Sequence, residues 1–370
     1  MKKIGLVTTL NTNIGDDFIR EGIIFLLEKV FDKDELDIIK IDKQKPFLIY
    51  KKYNLIRFVE YLPKGKFRAR DLLNAISKDY GKTVFDDRDI IIQCGTPVIW
   101  PGCSNAEWVI PIWHNAIGKN YKKATCLNLA AGSCFPWENQ PEVIIEQNDK
   151  IFLKSILNYC KLTTTRDKLA KELFRSLGYD AKLLPCTAFL VGMKYKRINS
   201  KNNIVLINYM EGGGHYDWGQ KIDSSKWKNT LKEFIKKYRS KYKFVFLAHN
   251  QREYDLAFQL EPTLDRTWPK SPKEYFDLIS NAKTAICNRM HASVAMAGLG
   301  IPSIAVGTDT RLKMPELLGL PIFYVKDITL EKLEISFLEL LENLSAEKER
   351  LKNLQEDTFQ KYISLLQKFI

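Results

Sequence analysis

Two residues toward the C-terminal end of the chain, Arg289 and His291, combine a cation with a proton-transfer group. They lie between the apolar stretch KTAIC and the small-residue stretch ASVAMAGLG. A guanidinium can hold a carboxylate or a phosphate through two parallel hydrogen bonds, and an imidazole titrates near neutral pH and can serve as a general acid. If the backbone is extended here, both side chains point the same way. The pair predicts a small-anion site; the alternative is a structural salt bridge and a capping histidine.

Further polar residues of the second half follow predicted strands. Asp309 and Arg311 come after the strand PSIAV and are expected to reach the same cleft. His249 ends the strand KFVFLAH, where it either faces the cleft or is a satisfied polar residue at the sheet edge. Gly213 and His215 belong to the loop EGGGHYDWG, which can wrap a phosphate or be merely flexible, since its spacing is not that of a P-loop.

In the first half, the loop NTNIGDD connects the first predicted strand to a predicted helix. Asn13 and Gly15 suit a tight turn, and Asp16 can cap the helix. Free N–H groups at a helix N-terminus favour an anion. Because an acidic cap beside a phosphate is unfavourable, Asp16 is expected to face an acceptor hydroxyl. The alternative is a turn and a cap without a ligand.

Other loops at strand ends carry small residues or a cation. Gly95 and Thr96 follow the strand RDIIIQ, and Arg166 follows the mostly polar strand in TTTRD. Small residues at several strand ends predict a cleft floor, and Arg166 is expected to clamp an anion there. The alternatives are ordinary turns and, for Arg166, an ion pair beside a helix cap at Asp167.

The elements that position these residues form two series. Continuous apolar strands alternate with amphipathic helices in residues 1–191 and again in 203–345, which is typical of parallel sheets covered on both faces. The polar, basic stretch 192–203 is predicted to be a linker, and 346–370 a long C-terminal helix. We therefore expect an α/β protein with two doubly wound, Rossmann-like domains that face each other. Ligands in such sheets bind outside the carboxyl ends of the strands.

Composition narrows the classes of partner. The formal net charge is +13 at pH 7, which favours an anionic substrate or surface over a neutral one, although a solvated lysine-rich surface explains it equally well. No nucleic-acid-binding module is visible, and no apolar run is long enough for a membrane span. The 7 cysteines are scattered without metal-ligand spacing, as in reduced cytoplasmic proteins. The N-terminus is interpreted as a strand and not as a signal peptide.

These motifs together resemble the polysaccharide pyruvyl transferase family. NRMHASVAMAGLGIPSIAV resembles its C-terminal signature, while NIGDD, TTTRD and DIIIQCGTPVIW resemble three of its earlier motifs in the right order. The resemblance covers residues 3–325. It implies a GT-B-like fold and transfer of a pyruvyl group from phosphoenolpyruvate to two sugar hydroxyls, giving a cyclic ketal. The chain departs from the family where its first loop lacks a glycine run and where CGTP replaces three glycines.

The resemblance also implies roles and partners. Arg289 would hold the donor carboxylate or phosphate, Arg166 would be a second anion contact, and His291 would be the acid. Asp16 would orient or deprotonate the acceptor on the first domain, with the donor on the second. No metal or cofactor beyond phosphoenolpyruvate is expected, nor nucleic acid. The acceptor would be a saccharide of cell-surface polysaccharide synthesis; a lipid-linked acceptor, contact with the inner membrane face and oligomeric state stay open.

Two other functions fit the same cleft. A glycosyltransferase with a nucleotide-sugar donor would also use Arg289 and the glycine loop, and it would need a ribose-binding carboxylate, for which Glu316 is the candidate. A non-catalytic carbohydrate- or anion-binding protein would bind the same ligands but release no phosphate.

Overall fold

The computed structural model describes residues 1–51, 57, 60, 82–95, 97–195, 202–214 and 218–370. Two predicted site residues, Thr96 and His215, lie outside the described residues, as does much of the predicted linker. The predicted domain boundaries at 191 and 203 therefore stay a prediction.

The first half forms a parallel sheet of seven strands in the order β2-β1-β3-β5-β6-β7, with β4 beside β5. Strand β3 is buried at all of its positions, which explains its run of three isoleucines. The strand order changes direction between β1 and β3, where a crevice opens at the carboxyl ends. The strands are β1 (Lys2–Thr8), β2 (Leu36–Asp42), β3 (Ile90–Cys94), β4 (Pro97–Ile99), β5 (Thr125–Ser133), β6 (Leu162–Thr165) and β7 (Lys182–Leu183).

Helices cover this sheet at the places that the sequence predicts. Asn13, and not Asp16 as predicted, caps the first helix, since its side chain accepts a hydrogen bond from the Gly15 amide and Asp16 lies within the first turn. The predicted helix NAEWVIPIWHNAIG is π-helical over Val109–Ile117 and continues as Gly118–Asn120. The α-helices are α1 (Ile14–Val30), α2 (Gln147–Tyr159) and α3 (Lys168–Ser176), and a 3₁₀ segment covers Thr187–Lys194.

The second half forms a six-stranded parallel sheet in the order β10-β9-β8-β11-β12-β13. The order changes direction between β8 and β11, so a second crevice opens there. Helix α5 and strand β10 are the elements that the sequence did not predict. The strands are β8 (Ile204–Asn208), β9 (Lys243–Leu247), β10 (Asp265–Thr267), β11 (Thr284–Cys287), β12 (Ser303–Gly307) and β13 (Ile322–Tyr324). The helices are α4 (Ser224–Tyr238), α5 (Gln251–Leu260), α6 (Pro272–Ile279), α7 (Met290–Gly298), α8 (Lys313–Leu317), α9 (Leu330–Glu342) and α10 (Leu344–Phe369).

Helix α10 joins the two domains. The Tyr362 hydroxyl donates a hydrogen bond to the Pro185 carbonyl at 3.0 Å. The Gln355 amide donates to the carbonyls of Phe189 and Gly298, which belong to different domains, at 2.6 and 2.8 Å. The sequence predicted this helix but not its path; the structure lays it across both halves.

A second connection lies beside the cleft. The Trp137 amide donates to the Thr308 carbonyl at 3.1 Å, and the Thr310 amide donates to the Phe135 carbonyl at 2.9 Å. The Ser133 and Thr310 hydroxyls are 2.9 Å apart. These bonds and helix α10 hold the domains so that the carboxyl ends of the two sheets face each other.

Candidate functional site

A cavity of about 350 Å³ lies between the carboxyl ends of the two sheets. Nine of the thirteen predicted site residues line it, namely Asn13, Asp16, Arg166, Gly213, His249, Arg289, His291, Asp309 and Arg311. An adjoining cavity of about 410 Å³ shares Arg289 and the glycine loop with it. Because residues from distant parts of the chain converge here, this cavity is the candidate site.

Arg166 is the most deeply placed cation of the cavity. It is 1% exposed, although its guanidinium lines the cavity. Its Nη1 donates to His291 Nε2 at 3.2 Å, and its Nε has no hydrogen-bond partner among the residues that the structure describes. Gly132 makes room for it, since a Cβ at Gly132 would lie 2.5 Å from Nε. Among the described residues, no carboxylate forms an ion pair with Arg166, and a buried unpaired charge is costly unless a ligand compensates it.

The alternative for Arg166 was an ion pair beside a helix cap at Asp167, and the hydrogen bonds of Asp167 bear on it. Its carboxylate caps helix α3 through the Ala170 amide at 2.7 Å and accepts from the Ser133 amide and hydroxyl at 2.8 and 2.9 Å. Burial raises the pKa of this carboxyl, and these hydrogen bonds counteract that effect. The predicted cap is therefore present, but the carboxylate is directed away from pairing with the arginine beside it.

His291 is in contact with both domains. A Cβ at Gly15 would lie 2.8 Å from its Nδ1, so Gly15 does not line the cavity but lets helix α1 approach the imidazole closely. Burial, and then the positive charges of Arg166 and Arg311, hold the pKa of His291 well below its usual value. These effects place the pKa below the near-neutral value expected from the sequence, while the role of His291 as a proton donor stays a prediction. The ring is neutral, and its Nε2 accepts from Arg166.

Arg289 is held in a salt bridge. Its Nε and Nη2 donate to Glu253 Oε1 at 2.8 and 2.5 Å. Glu253 is 3% exposed and also accepts from Asn208 and from the His249 amide. Burial opposes the ionisation of Glu253, but Arg289 and these donors together hold its pKa below the usual value. The structural salt bridge that was the alternative for Arg289 is present, and the residue still lines the cavity.

Asp309 and Arg311 also compensate each other. Arg311 Nε and Nη2 donate to the two Asp309 oxygens at 2.8 and 2.5 Å. Asp309 additionally accepts from the Arg311 amide and so begins the 3₁₀ turn Thr310–Leu312. Both reach the cavity as predicted, but as a neutral pair and not as two separate charges.

His249 and Gly213 shape the floor on the second domain. His249 is 4% exposed, and its Nε2 lies 3.1 Å from the Tyr275 hydroxyl. Burial lowers the pKa of His249 to about 4, so the ring is neutral. Gly213 has φ +77, and a Cβ there would lie 2.7 Å from a Val325 methyl group. A side chain at this position is excluded both by the left-handed backbone and by the close approach.

The first domain contributes two titratable groups side by side. Burial raises the pKa of Asp16, while Lys43 and Arg166 counteract this effect. Lys43 follows strand β2 and was not among the predicted site residues; the signal was a cation two residues after the predicted strand LDIIKI. Burial lowers the pKa of Lys43 to about 8. Gly95 does not line the cavity, because its backbone packs against Ala130 of strand β5.

The lining residues define the chemistry of the site. Four cationic side chains (Lys43, Arg166, Arg289 and Arg311) face two carboxyl groups, Asp16 and Asp309, across a small volume. Two of the cations are compensated by partners, while Arg166 and Lys43 are in no ion pair of the described residues. The cavity therefore favours a small, multiply charged anion beside a neutral imidazole.

The described part of the chain contains no cluster of histidine, cysteine and carboxylate side chains suited to a metal ion. None of its helices combines the length and apolar character that crossing a membrane requires. Glu316, the candidate ribose-binding carboxylate, lines neither cavity.

One family of known proteins matches most of the chain. The family model described as polysaccharide pyruvyl transferase matches residues 13–310. No curated protein matches the chain.

Solved structures share the architecture. The UDP complex of MnaA from S. aureus is 12% identical, with 96% of this chain and 92% of that chain covered and a TM-score of 0.57. The UDP-GlcNAc 2-epimerase from Neisseria meningitidis, bound to UDP-GlcNAc, is 11% identical over the whole of both chains (100% and 100%), with a TM-score of 0.57. These likenesses show the fold alone, two Rossmann-like domains of the GT-B type, as predicted.

Proposed function

The chain belongs to the polysaccharide pyruvyl transferase family, and we propose that it transfers a pyruvyl group from phosphoenolpyruvate to two hydroxyls of a saccharide. The observation that carries this proposal is Arg166: a guanidinium 1% exposed, lining a cavity, without an ion-pair partner in the described residues. An anion of the donor's size and charge would satisfy it, because a charge-assisted hydrogen bond is strongest where water is excluded.

Binding of phosphoenolpyruvate would also change the protonation of the His291 imidazole. The donor carries a carboxylate and a phosphate, whose negative charges offset the arginines around His291. Burial, and then those arginines, keep the ring neutral; the bound donor would offset the arginines, raise the pKa of the ring and let it take up a proton. His291 then acts as the general acid, and it becomes protonated only when the donor is bound.

The transfer begins with protonation of the donor. The proton on His291 moves to the methylene carbon of the donor, and the central carbon becomes electron-deficient. The first acceptor hydroxyl adds to that carbon, and its proton passes to Asp16. The bond between the central carbon and the phosphate oxygen breaks, the second hydroxyl adds, and phosphate leaves with the proton of that hydroxyl. Asp16 then releases its proton to solvent, which balances the proton that His291 took up when the donor bound. The products are a cyclic ketal and inorganic phosphate.

Asp16 suits the role of proton acceptor because of its surroundings. Burial raises its pKa, while the positive charges of Lys43 and Arg166 keep the ionised form accessible. It lines the same cavity as His291. A raised pKa makes the Asp16 carboxylate a stronger proton acceptor than an ordinary carboxylate, which suits a general base.

The nucleotide-sugar alternative has the GT-B fold in its favour. It lacks the ribose-binding carboxylate expected of it, since Glu316 lines neither cavity. The fold is shared by enzymes of different chemistry and does not decide between them.

The test compares donors on the intact protein. Thermal unfolding is measured with phosphoenolpyruvate and with UDP- and ADP-sugars, and phosphate release is measured with a panel of saccharides. We expect stabilisation by phosphoenolpyruvate, about 2.7 kcal/mol at one hundred times the dissociation constant, and phosphate release with at least one acceptor. Stabilisation by a nucleotide sugar and not by phosphoenolpyruvate would refute the proposal.

A matched pair of variants locates the effect. Arg166→Gln removes the buried guanidinium, while Arg175→Gln removes an arginine that is 69% exposed on helix α3. We expect the first to abolish stabilisation by phosphoenolpyruvate and the second to leave it unchanged. Equal stabilisation of both variants would remove Arg166 from the account.

A further inference from the structure

Lys43 is placed firmly at the wall of the cavity. Its backbone amide donates to the Thr8 carbonyl at 2.7 Å, which continues the pairing of strands β1 and β2. The carboxylate of Asp42 accepts from the Gln44 amide at 3.0 Å and so fixes the turn that follows. The lysine side chain lines the cavity with its ammonium group 5.6 Å from the centre of the Trp108 ring. The position is set by the sheet and not by a mobile loop.

The ammonium group of Lys43 is available to a ligand, because two carboxylates beside the cavity are paired with other cations. Arg289 is paired with Glu253, and Arg311 with Asp309. Lys43 forms neither an ion pair nor a hydrogen bond through its ammonium group with any of the residues that the structure describes. A lysine ammonium has three donors on a compact charge, which suits the oxygens of a phosphate.

We propose that Lys43, together with Arg166, forms the subsite for a phosphate group and holds the phosphate that leaves in the reaction. The identity of the donor rests on the proposed function, but phosphate binding by these two residues does not. The subsite belongs to the first domain, so the donor would bridge the cleft with its phosphate on that side and its carbon skeleton toward His291.

The charged groups around Lys43 support this assignment and predict a pH dependence. Burial lowers its pKa to about 8, Asp16 and Asp42 act in the opposite direction, and Arg166 lowers it further. A phosphate bound beside the ammonium group would favour the charged form. Affinity for phosphate should therefore decline as pH rises above about 8, because the free lysine then loses its proton.

The experiment measures the affinity of the full chain for inorganic phosphate and for phosphoenolpyruvate by calorimetry, from pH 7 to pH 9.5. Lys43→Met keeps the length of the side chain and removes the charge, and Lys45→Met makes the same change at an exposed lysine two positions away. Lys43→Arg keeps a charge that does not titrate in this range.

The expected results separate a binding role from a structural one. Lys43→Met loses affinity for both ligands about tenfold or more, and Lys45→Met binds as the wild type does. Lys43→Arg retains binding above pH 8, where the wild type weakens. If Lys43→Met binds both ligands within twofold of the wild type, or Lys43→Arg weakens with pH as the wild type does, the inference is wrong. Phosphate binding that depends on Lys43, without turnover on any acceptor, would leave this inference standing and count against the proposed function alone.

Discussion

His249 should make the stability of the protein depend on pH in a predictable way. The ring is 4% exposed, and burial lowers its pKa to about 4 from an ordinary value of about 6.5. Between these two values the unfolded chain binds a proton that the folded protein does not. Stability from this group is therefore complete above pH 6.5 and is lost as the pH falls toward 4.

The size of the effect follows from the difference in pKa. One pKa unit corresponds to about 1.36 kcal/mol, so a difference of roughly 2.5 units is worth about 3 kcal/mol in the free energy of unfolding. His249→Gln removes the titrating ring and keeps a polar group that can meet the Tyr275 hydroxyl. The wild type should lose about 3 kcal/mol more than this variant between pH 7.5 and pH 4.

The assay is urea unfolding at several pH values with a matched control. His114→Gln makes the same substitution at a histidine of the π-helical segment, away from the cavity, and should retain the pH dependence of the wild type. Taking the difference between variants cancels the carboxyl groups that titrate in the same range. If His249→Gln and the wild type lose equal stability between these pH values, the buried neutral imidazole is not the cause and the reasoning fails.

Three further predictions concern the cavity. Gly132→Ala would place a Cβ 2.5 Å from Arg166 Nε, so the guanidinium must move, and affinity for phosphoenolpyruvate in calorimetry should fall; unchanged affinity would contradict this. Glu253→Ala leaves Arg289, whose side chain is 11% exposed at the cavity, without its partner and should lower the free energy of unfolding by about 3 kcal/mol, whereas Glu211→Ala, at an exposed residue, should change it by less than about 0.5 kcal/mol; equal losses would show that the pair of Arg289 and Glu253 has no special role. Binding of phosphoenolpyruvate should take up about one proton per site in calorimetry with buffers of different ionisation enthalpy, and His291→Asn should abolish the uptake; uptake that persists in this variant would assign the proton to another group.

The location of the site can be predicted from the sequence because its polar residues come directly after predicted parallel strands. Apolar strands that alternate with amphipathic helices imply parallel sheets, and parallel sheets bring the residues after each strand to one edge. Arg166, His249 and His291 each follow a predicted strand, and the structure brings all three to one cavity. No knowledge of the contacts between domains was needed for that step.

The ion-pair partners, pKa values and burial of these residues could not be predicted from the sequence in the same way. The partner of Arg289 is Glu253 on helix α5, an element that the sequence analysis did not predict. The pKa of His291 depends on burial and on arginines from separate segments, which become neighbours only when the two domains pack. Lys43 was passed over because a single lysine after a strand looks the same in sequence whether it is exposed or lines a cavity.

The central claim is that Arg166 and His291 receive a small, multiply charged anion between the two domains. The most direct measurement is a crystal structure of the protein with phosphoenolpyruvate. We expect a phosphate or carboxylate oxygen within about 2.7–3.2 Å of the Arg166 guanidinium, with the methylene carbon facing the His291 ring. Phosphoenolpyruvate bound elsewhere, with Arg166 still lacking an anionic partner, would contradict it.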